Sequence, residues 1–293
     1  MIATLQLKQT GKVWTLLLVA IGLLGLGAWL LLTTSRAGDS AQDQWPAGSF
    51  NGAKQTRINT AVDSSPEQFF VDTDLPRLVF GVDSGAAGVA VRLFHSQFEA
   101  AVSAAPGRGI TPRTLLEQQG QLSVVLGSGF VVEPGSLQPV GLLRQAGVTL
   151  NTLEPMGYTR ILGSQAGALS VVHRSDYQDN VFDDALQLGP GIIENGQLDI
   201  SERDLQRKKY HRSFIALCGD SWLAGVTTEP TNLRTLGIAV LDLSAREQLD
   251  CVEVINLAGH RQGVLLTKNT QGQSNYFGDI DSPRASLLTF SRR

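Results

Sequence analysis

The chain has 293 residues, enough for one ordinary domain with extra segments or for two small ones. Hydrophobic residues make up 42% and charged residues 17%, which excludes a disordered chain, and the absence of a period excludes collagen and coiled coil. The first 36 residues hold Lys8, Lys12 and Arg36 and no acid, so the net charge of −3 leaves −6 on the rest, which argues against nucleic acid as a partner.

The chain opens on a basic tail, residues 1–12, followed by a charge-free run from Val13 to Leu32. Twenty residues at a helical rise of about 1.5 Å span about 30 Å, the thickness of a hydrocarbon core. Trp14 and Trp29 sit near its ends, where amphipathic rings favour the interface. The basic tail places the N-terminus in the cytoplasm and the body outside. The expectation is a single-pass signal anchor in the inner (cytoplasmic) membrane, with a periplasmic or extracellular body. A cleaved signal peptide is the alternative, and it exports the same body.

Residues 33–68 are rich in Gly, Ser, Ala, Gln and Asp without an apolar period, as in a linker. The exported domain then covers residues 69–293. Short apolar runs predict strands at Leu78–Val82, Val89–His95, Leu122–Leu126, Val140–Leu143, Thr159–Leu162 and Ala168–His173. Between the second and third, Thr111 as N-cap, Pro112 at the first helical position and Gly120 as a stop predict a short helix. Strands at Ala185–Leu188 and Ile192–Glu194 flank Gly189-Pro190-Gly191, and Asn195-Gly196 makes a hairpin turn. Ser213–Leu217 and Trp222–Val226 form a further strand pair. Leu233, Leu236, Ala239, Val240 and Leu243 recur at helical spacing, which predicts an amphipathic helix over 232–248. Strands at Val252–Leu257, Gly263–Thr267 and Ser286–Phe290 follow. Many short strands, two helices and no βα alternation point to an α+β fold with a mixed or antiparallel sheet, preceded by the N-terminal transmembrane helix.

Export makes the two cysteines, Cys218 and Cys251, candidates for a disulfide, with two buried thiols as the alternative. Metal-ligand spacing is absent: His95, His173, His211 and His260 are scattered and no CxxC occurs. Neither a phosphate-binding loop nor a dinucleotide fingerprint is present, so no cofactor is expected.

Four loops stand at the ends of apolar strands. They are Gly127-Ser128-Gly129-Phe130 with Gln138-Pro139-Val140-Gly141; Gln187-Leu188-Gly189-Pro190 with Glu194-Asn195-Gly196; His211-Arg212-Ser213; and Asn256-Leu257-Ala258-Gly259-His260. In this order and spacing, over about residues 78–267, the chain resembles the phosphodiester glycosidase domain family. That family typically shows Asn-Gly-Gly-Phe-Phe with Pro-x-Gly, Gln-(Ser/Thr)-Gly-Pro with a following Asn-Gly, Arg-Thr, and a strand ending in Asn-Leu-Asp-Gly-Gly. Gln187, Gly189, Pro190, Arg212, Asn256 and Gly259 match it. Gly127 stands at the family's Asn, Ala258 at its Asp and His260 at its second Gly.

The resemblance implies a sugar-1-phosphodiester or glycan of the cell envelope as ligand, and hydrolysis of its glycosidic bond if the chain is active. Arg212 suits a bidentate phosphate contact, with a salt bridge at a strand start as the alternative. Gln187 and Asn256 suit sugar hydroxyls, or else loop backbone. Gly129, Gly189 and Gly259 permit close approach of a ligand to backbone. Ala258 cannot replace a carboxylate, and general acid–base help is worth about 100- to 10,000-fold. His260 is the candidate acid–base group, or else a packed or surface histidine. An inactive relative that binds a glycan or a protein, or serves as a scaffold, is the alternative reading.

Overall fold

The structure is a computed structural model that describes residues 75–81, 86–133, 136–155, 157–259 and 262–293. The basic tail, the predicted membrane span and the linker therefore lie outside the described residues. Among the described residues, no helix is long and apolar enough to cross a membrane.

The first half contains β1 (Arg77–Phe80), β2 (Gly88–Phe94), β3 (Phe98–Ala104), α1 (Pro112–Gln118), β4 (Leu122–Ser128), β5 (Leu143–Gln145), β6 (Val148–Asn151), β7 (Arg160–Gln165) and β8 (Ala168–His173). The second half contains β9 (Asp184–Leu188), β10 (Gly191–Glu194), β11 (Gln197–Leu198), β12 (Arg212–Cys218), β13 (Ser221–Thr227), α2 (Leu233–Arg246), β14 (Cys251–Gly259), β15 (Leu265–Lys268), β16 (Ser274–Phe277) and β17 (Ser286–Arg292).

These strands form three sheets, in the orders β1-β2-β13-β12-β14-β10-β11, β16-β15-β4-β17-β3 and β6-β5-β9-β7-β8. Every recorded pairing is antiparallel. This corrects the α+β expectation. The described residues are a mostly antiparallel β structure with two α-helices. The physical reason lies in strands that do not read as continuous apolar runs. β3 alternates buried Phe98, Ala100 and Val102 with exposed Glu99 and Ala101, which is a half-buried strand pattern. β6 and β16 are short and mostly solvent-facing. They widen the second and third sheets without adding a helix, which shifts the balance from α+β to mostly β.

Alternation along the strands sorts side chains between two cores. On β12, Ile215 enters a core shared with Val91, Val124, Leu162 and Leu288 from all three sheets. Its neighbours Phe214 and Ala216 face the opposite way, into a second core with α2. Helix α2 starts where Asn232 Oδ1 accepts the Thr235 N–H at 2.8 Å. Its buried Leu233, Leu236, Ala239, Val240 and Leu243 pack on Ile192, Phe214 and Val254. Full burial of each Leu or Val is worth about 1.5–3 kcal/mol against about 1 kcal/mol for the cap, so packing holds this helix to the sheet. Helix α1 is capped by Thr111 Oγ1 accepting the Thr114 N–H at 3.0 Å, with Pro112 at the start.

Candidate functional site

The four loops meet around the last residues of β14. In its pairing with β12, Gly259 stands opposite Arg212 and Ala258 opposite Ser213. Leu257 C=O accepts the Gly129 N–H at 3.1 Å, and the Ser213 hydroxyl donates to Gly127 C=O at 2.7 Å. On the other side, the Asn256 N–H donates to Pro190 C=O at 3.3 Å and its Nδ2 to Gly189 C=O at 3.4 Å. The Gly189–Pro190 peptide is cis. The structure thus brings together Arg212, Asn256, Gly129, Gly189 and Gly259 from sequence positions more than a hundred residues apart. His260 lies outside the described residues.

Arg212 is buried at 8% exposure. Its N–H donates to Thr227 Oγ1 at 2.9 Å, its Nε donates to Thr231 C=O at 3.2 Å, and its guanidinium lies 5.4 Å from the centre of the Tyr210 ring. The strand-start arginine is therefore held by backbone and an aromatic face.

Two positions that depart from the family pattern are closed by packing. Ala258 has no exposed surface. A Cβ on Gly127 would overlap the carbonyl oxygen of Gln262, so no side chain fits there without moving that segment. Gly129 adopts φ +82, and a Cβ on it would meet the Ser286 hydroxyl. Both strain and space therefore demand glycine at 129.

The two candidate amides differ. Gln187 is buried at 1% exposure, and all its hydrogen-bonding groups are in use. Its Oε1 accepts the N–H of Leu142 at 3.0 Å and of Glu154 at 2.8 Å, and its Nε2 donates to the carbonyls of Glu154 and Tyr158, both at 2.8 Å. It fastens three loop segments to β9. Asn256 is equally buried, yet its Oδ1 has no hydrogen-bond partner among the described residues. A buried acceptor left unpaired costs about 1–3 kcal/mol.

Beside this junction stands a charge cluster that the sequence reading missed. The Arg160 side chain, only 4% exposed, donates to Asp199 Oδ2 at 3.1 Å and contacts Glu194 Oε2 at 3.0 Å. Its Nη1 is 2.5 Å from His173 Nε2. The guanidinium packs against Gly191, one residue past Pro190. Burial lifts the Asp199 carboxyl above its ordinary range, against the pull of Arg160 and with a push from Glu194. Burial lifts Glu253 as well, opposed by the Asn195 N–H and Arg160 and reinforced by Glu194 and Asp199. Glu253 Oε2 is buried without a hydrogen-bond partner among the described residues. The Asn195-Gly196 turn hints that Glu194 and Asp199 are neighbours across a hairpin, but nothing local points to Arg160. Tyr158 stacks on Phe130 with ring centres 4.5 Å apart, and burial pushes its hydroxyl up to about 12.

Cys218 and Cys251 are joined by a disulfide at the end of the β12–β14 pair opposite Arg212 and Gly259. Among the described residues, no group of three or more His, Cys, Asp or Glu is arranged to hold a metal ion.

Fold and loop arrangement define a mostly antiparallel β domain of three sheets whose loops meet at the end of β14. The fold matches the catalytic domain of zebrafish N-acetylglucosamine-1-phosphodiester alpha-N-acetylglucosaminidase, solved in a form auto-inhibited by its pro-peptide. The TM-score is 0.55 at 14% identity, over 76% of this chain and 83% of that one. A hypothetical protein from Synechocystis gives a TM-score of 0.49 at 11% identity, over 75% of this chain and 62% of that one. No protein-family model and no curated protein sequence matches the chain. At 14% identity the likeness to the zebrafish domain is one of distant fold.

Proposed function

We propose that the chain is a single-pass, membrane-anchored protein whose exported body binds a sugar phosphodiester or related glycan of the cell envelope without hydrolysing it. The observation that carries this reading is Asn256. It is a fully buried amide with an unpartnered oxygen at the point where four loops meet. A ligand hydroxyl donating to Oδ1 recovers the cost of that orphaned acceptor. Position 258, where the resemblance expects a carboxylate, is a sealed alanine, so the family's route to proton transfer is missing there. The charge-free run at 13–32 and the basic tail support the anchor.

A second reading is favoured by one observation. Asp199, bonded to the Arg160 that packs against Gly191, and Glu253, beside the Asn195 N–H at the other end of β10, carry raised carboxyls, and a raised carboxyl is suited to give a proton. In that case the chain hydrolyses the phosphodiester with one of them as acid.

The test uses the full-length chain in detergent with an N-acetylglucosamine-1-phosphodiester. The binding reading expects saturable calorimetric binding and no released sugar. Turnover that disappears in Asp199→Asn or Glu253→Gln would replace it with the hydrolytic reading. Protease added outside intact spheroplasts should digest the body; protection of the body would contradict its export.

A further inference from the structure

One side of α2 packs on the first sheet. Along its other side, exposed Ile238, Asp242 and Ala245 alternate with half-buried Thr235 and Leu241 at the helical period. Ile238, at the middle, is 43% exposed. Two more apolar side chains flank this face. Leu205, 50% exposed, lies in the 3₁₀ turn Glu202–Gln206 before α2, and Val252, 51% exposed, lies on β14 past its end. Leu241, Ala245 and Val252 border an open hollow of about 480 Å³. Apolar surface grouped in this way marks a contact site.

The two ends of α2 carry opposite charge. At its start, residues 202–209 hold Arg203, Arg207, Lys208 and Lys209 against Glu202 and Asp204, a net +2. Asp204 is buried and accepts the Arg234 N–H at 2.8 Å, whereas Lys208 and Lys209 are exposed. Backbone bonds hold this segment to the helix start. The Tyr210 N–H donates to Thr231 C=O at 3.0 Å, and the Thr231 N–H donates to Tyr210 C=O at 2.9 Å. At the other end, residues 242–250 hold Asp242, Glu247 and Asp250 against Arg246, a net −2. Arg246 is committed to Glu247 at 3.1 Å and to Val79 C=O at 2.7 Å, and Asp242 and Asp250 face solvent. Fourteen residues at about 1.5 Å each put about 21 Å between the ends. That exceeds a Debye length of about 8 Å, so the ends act as two separate patches.

We infer that this face of α2 is a dimer interface, filled by the α2 of a second copy of this chain lying antiparallel across a two-fold axis near Ile238. The inference goes beyond the binding reading and does not rest on it. Charge selects the antiparallel direction, because parallel helices would set basic against basic and acid against acid. A two-fold axis repeats every contact. Each copy thus offers its basic segment to the acidic end of the other, and Leu205 of each enters the other's hollow. Ile238 packs against its own symmetry mate, and the small Thr235 and Ala245 let the helices approach. A partner of different sequence would have to match both patches in reverse order. A second copy does so by symmetry.

The test is sedimentation of the full-length chain in density-matched detergent over a range of protein concentrations. Wild type should form a reversible dimer that weakens as salt is raised, with a Tm that climbs with concentration. Ile238→Arg should weaken the dimer about tenfold or more, and at the lowest concentration its Tm should equal that of wild type, because the side chain is exposed. Lys208→Glu with Lys209→Glu should weaken it about tenfold or more, and so should Asp242→Lys with Asp250→Lys. Mixing these two charge-swapped proteins should restore association, since opposite charges then meet at both contacts. A dimer indifferent to Ile238→Arg and to both swaps lies elsewhere, the run at 13–32 included, and overturns the inference. Loss of the dimer in the swaps without recovery in the mixture overturns the antiparallel order. A monomer at every concentration overturns the dimer: a lower Tm in Ile238→Arg would then show the face covered by the chain's own residues, and an equal Tm would show it bare.

Discussion

Gln187 and Asn256 are both amides at the ends of apolar strands, and both are buried at 1% exposure. Around Gln187 the fold brings two backbone N–H groups and two carbonyls within 3.0 Å, so the side chain acts as a four-point fastener for segments near 142, 154 and 158. Around the Asn256 side chain, among the described residues, the fold offers Gly189 C=O at 3.4 Å and no donor to the amide oxygen. Both are buried side-chain amides near the C-terminal end of a strand, Gln187 one residue and Asn256 three residues before it. What separates the two amides is how many loop groups the neighbouring sheets deliver to each.

Substitutions can break or sharpen this contrast. The largest effect is expected at Gln187→Leu, which leaves two N–H groups and two carbonyls without their buried partner. At about 1–3 kcal/mol for each orphan, partly recovered by water, the loss is about 4 kcal/mol. For a domain of this size that lowers Tm by roughly 10 °C, measured by calorimetry. A Tm within a degree of wild type would end the fastener reading. Ala258→Asp comes next. Placing a carboxylate at a sealed position should cost about 3 kcal/mol and produce no release of sugar from a phosphodiester. Turnover gained by that variant would show that the junction is catalytically competent.

Asn256→Leu should cost about 1 kcal/mol or less in stability, because it removes an orphaned oxygen together with one long hydrogen bond. Its effect belongs in ligand binding. Glu253→Gln has the smallest effect and the opposite sign. Folding raises the carboxyls of Asp199 and Glu253, so the folded chain holds more protons than the unfolded one between the two titrations. Stability from these groups therefore falls as pH rises through that interval. Removing one carboxyl should raise Tm at neutral pH by roughly 1–3 °C and flatten the fall in Tm above about pH 4. A lower Tm in thermal melts across that range would reverse this account of Glu253.

Much of the local structure is written locally. Thr111 and Pro112 start α1, Asn232 starts α2, and Asn195 and Gly196 both take positive φ at the predicted hairpin. Fully buried strands such as β12 and β13 read as continuous apolar runs because both their faces are covered. β3 does not, since Glu99, Ala101 and Ser103 alternate with its apolar Phe98, Ala100 and Val102. The loops at the junction were legible from their glycines and strand ends. The commitments of their side chains were not. Gln187 is satisfied by groups 29 to 45 residues away, and Arg160 finds Asp199 39 residues along the chain. Cys218 and Cys251 meet although α2 lies between them, because β12 and β14 are neighbours in one sheet. Such pairings follow from sheet order, which no local pattern encodes.

The most direct measurement is the affinity of full-length wild type and Asn256→Leu for the same N-acetylglucosamine-1-phosphodiester, by calorimetry, with both proteins shown to be folded. The account predicts saturable binding by the wild type, a loss of about tenfold or more in the variant, and no hydrolysis by either. Equal affinities in the two proteins would contradict it.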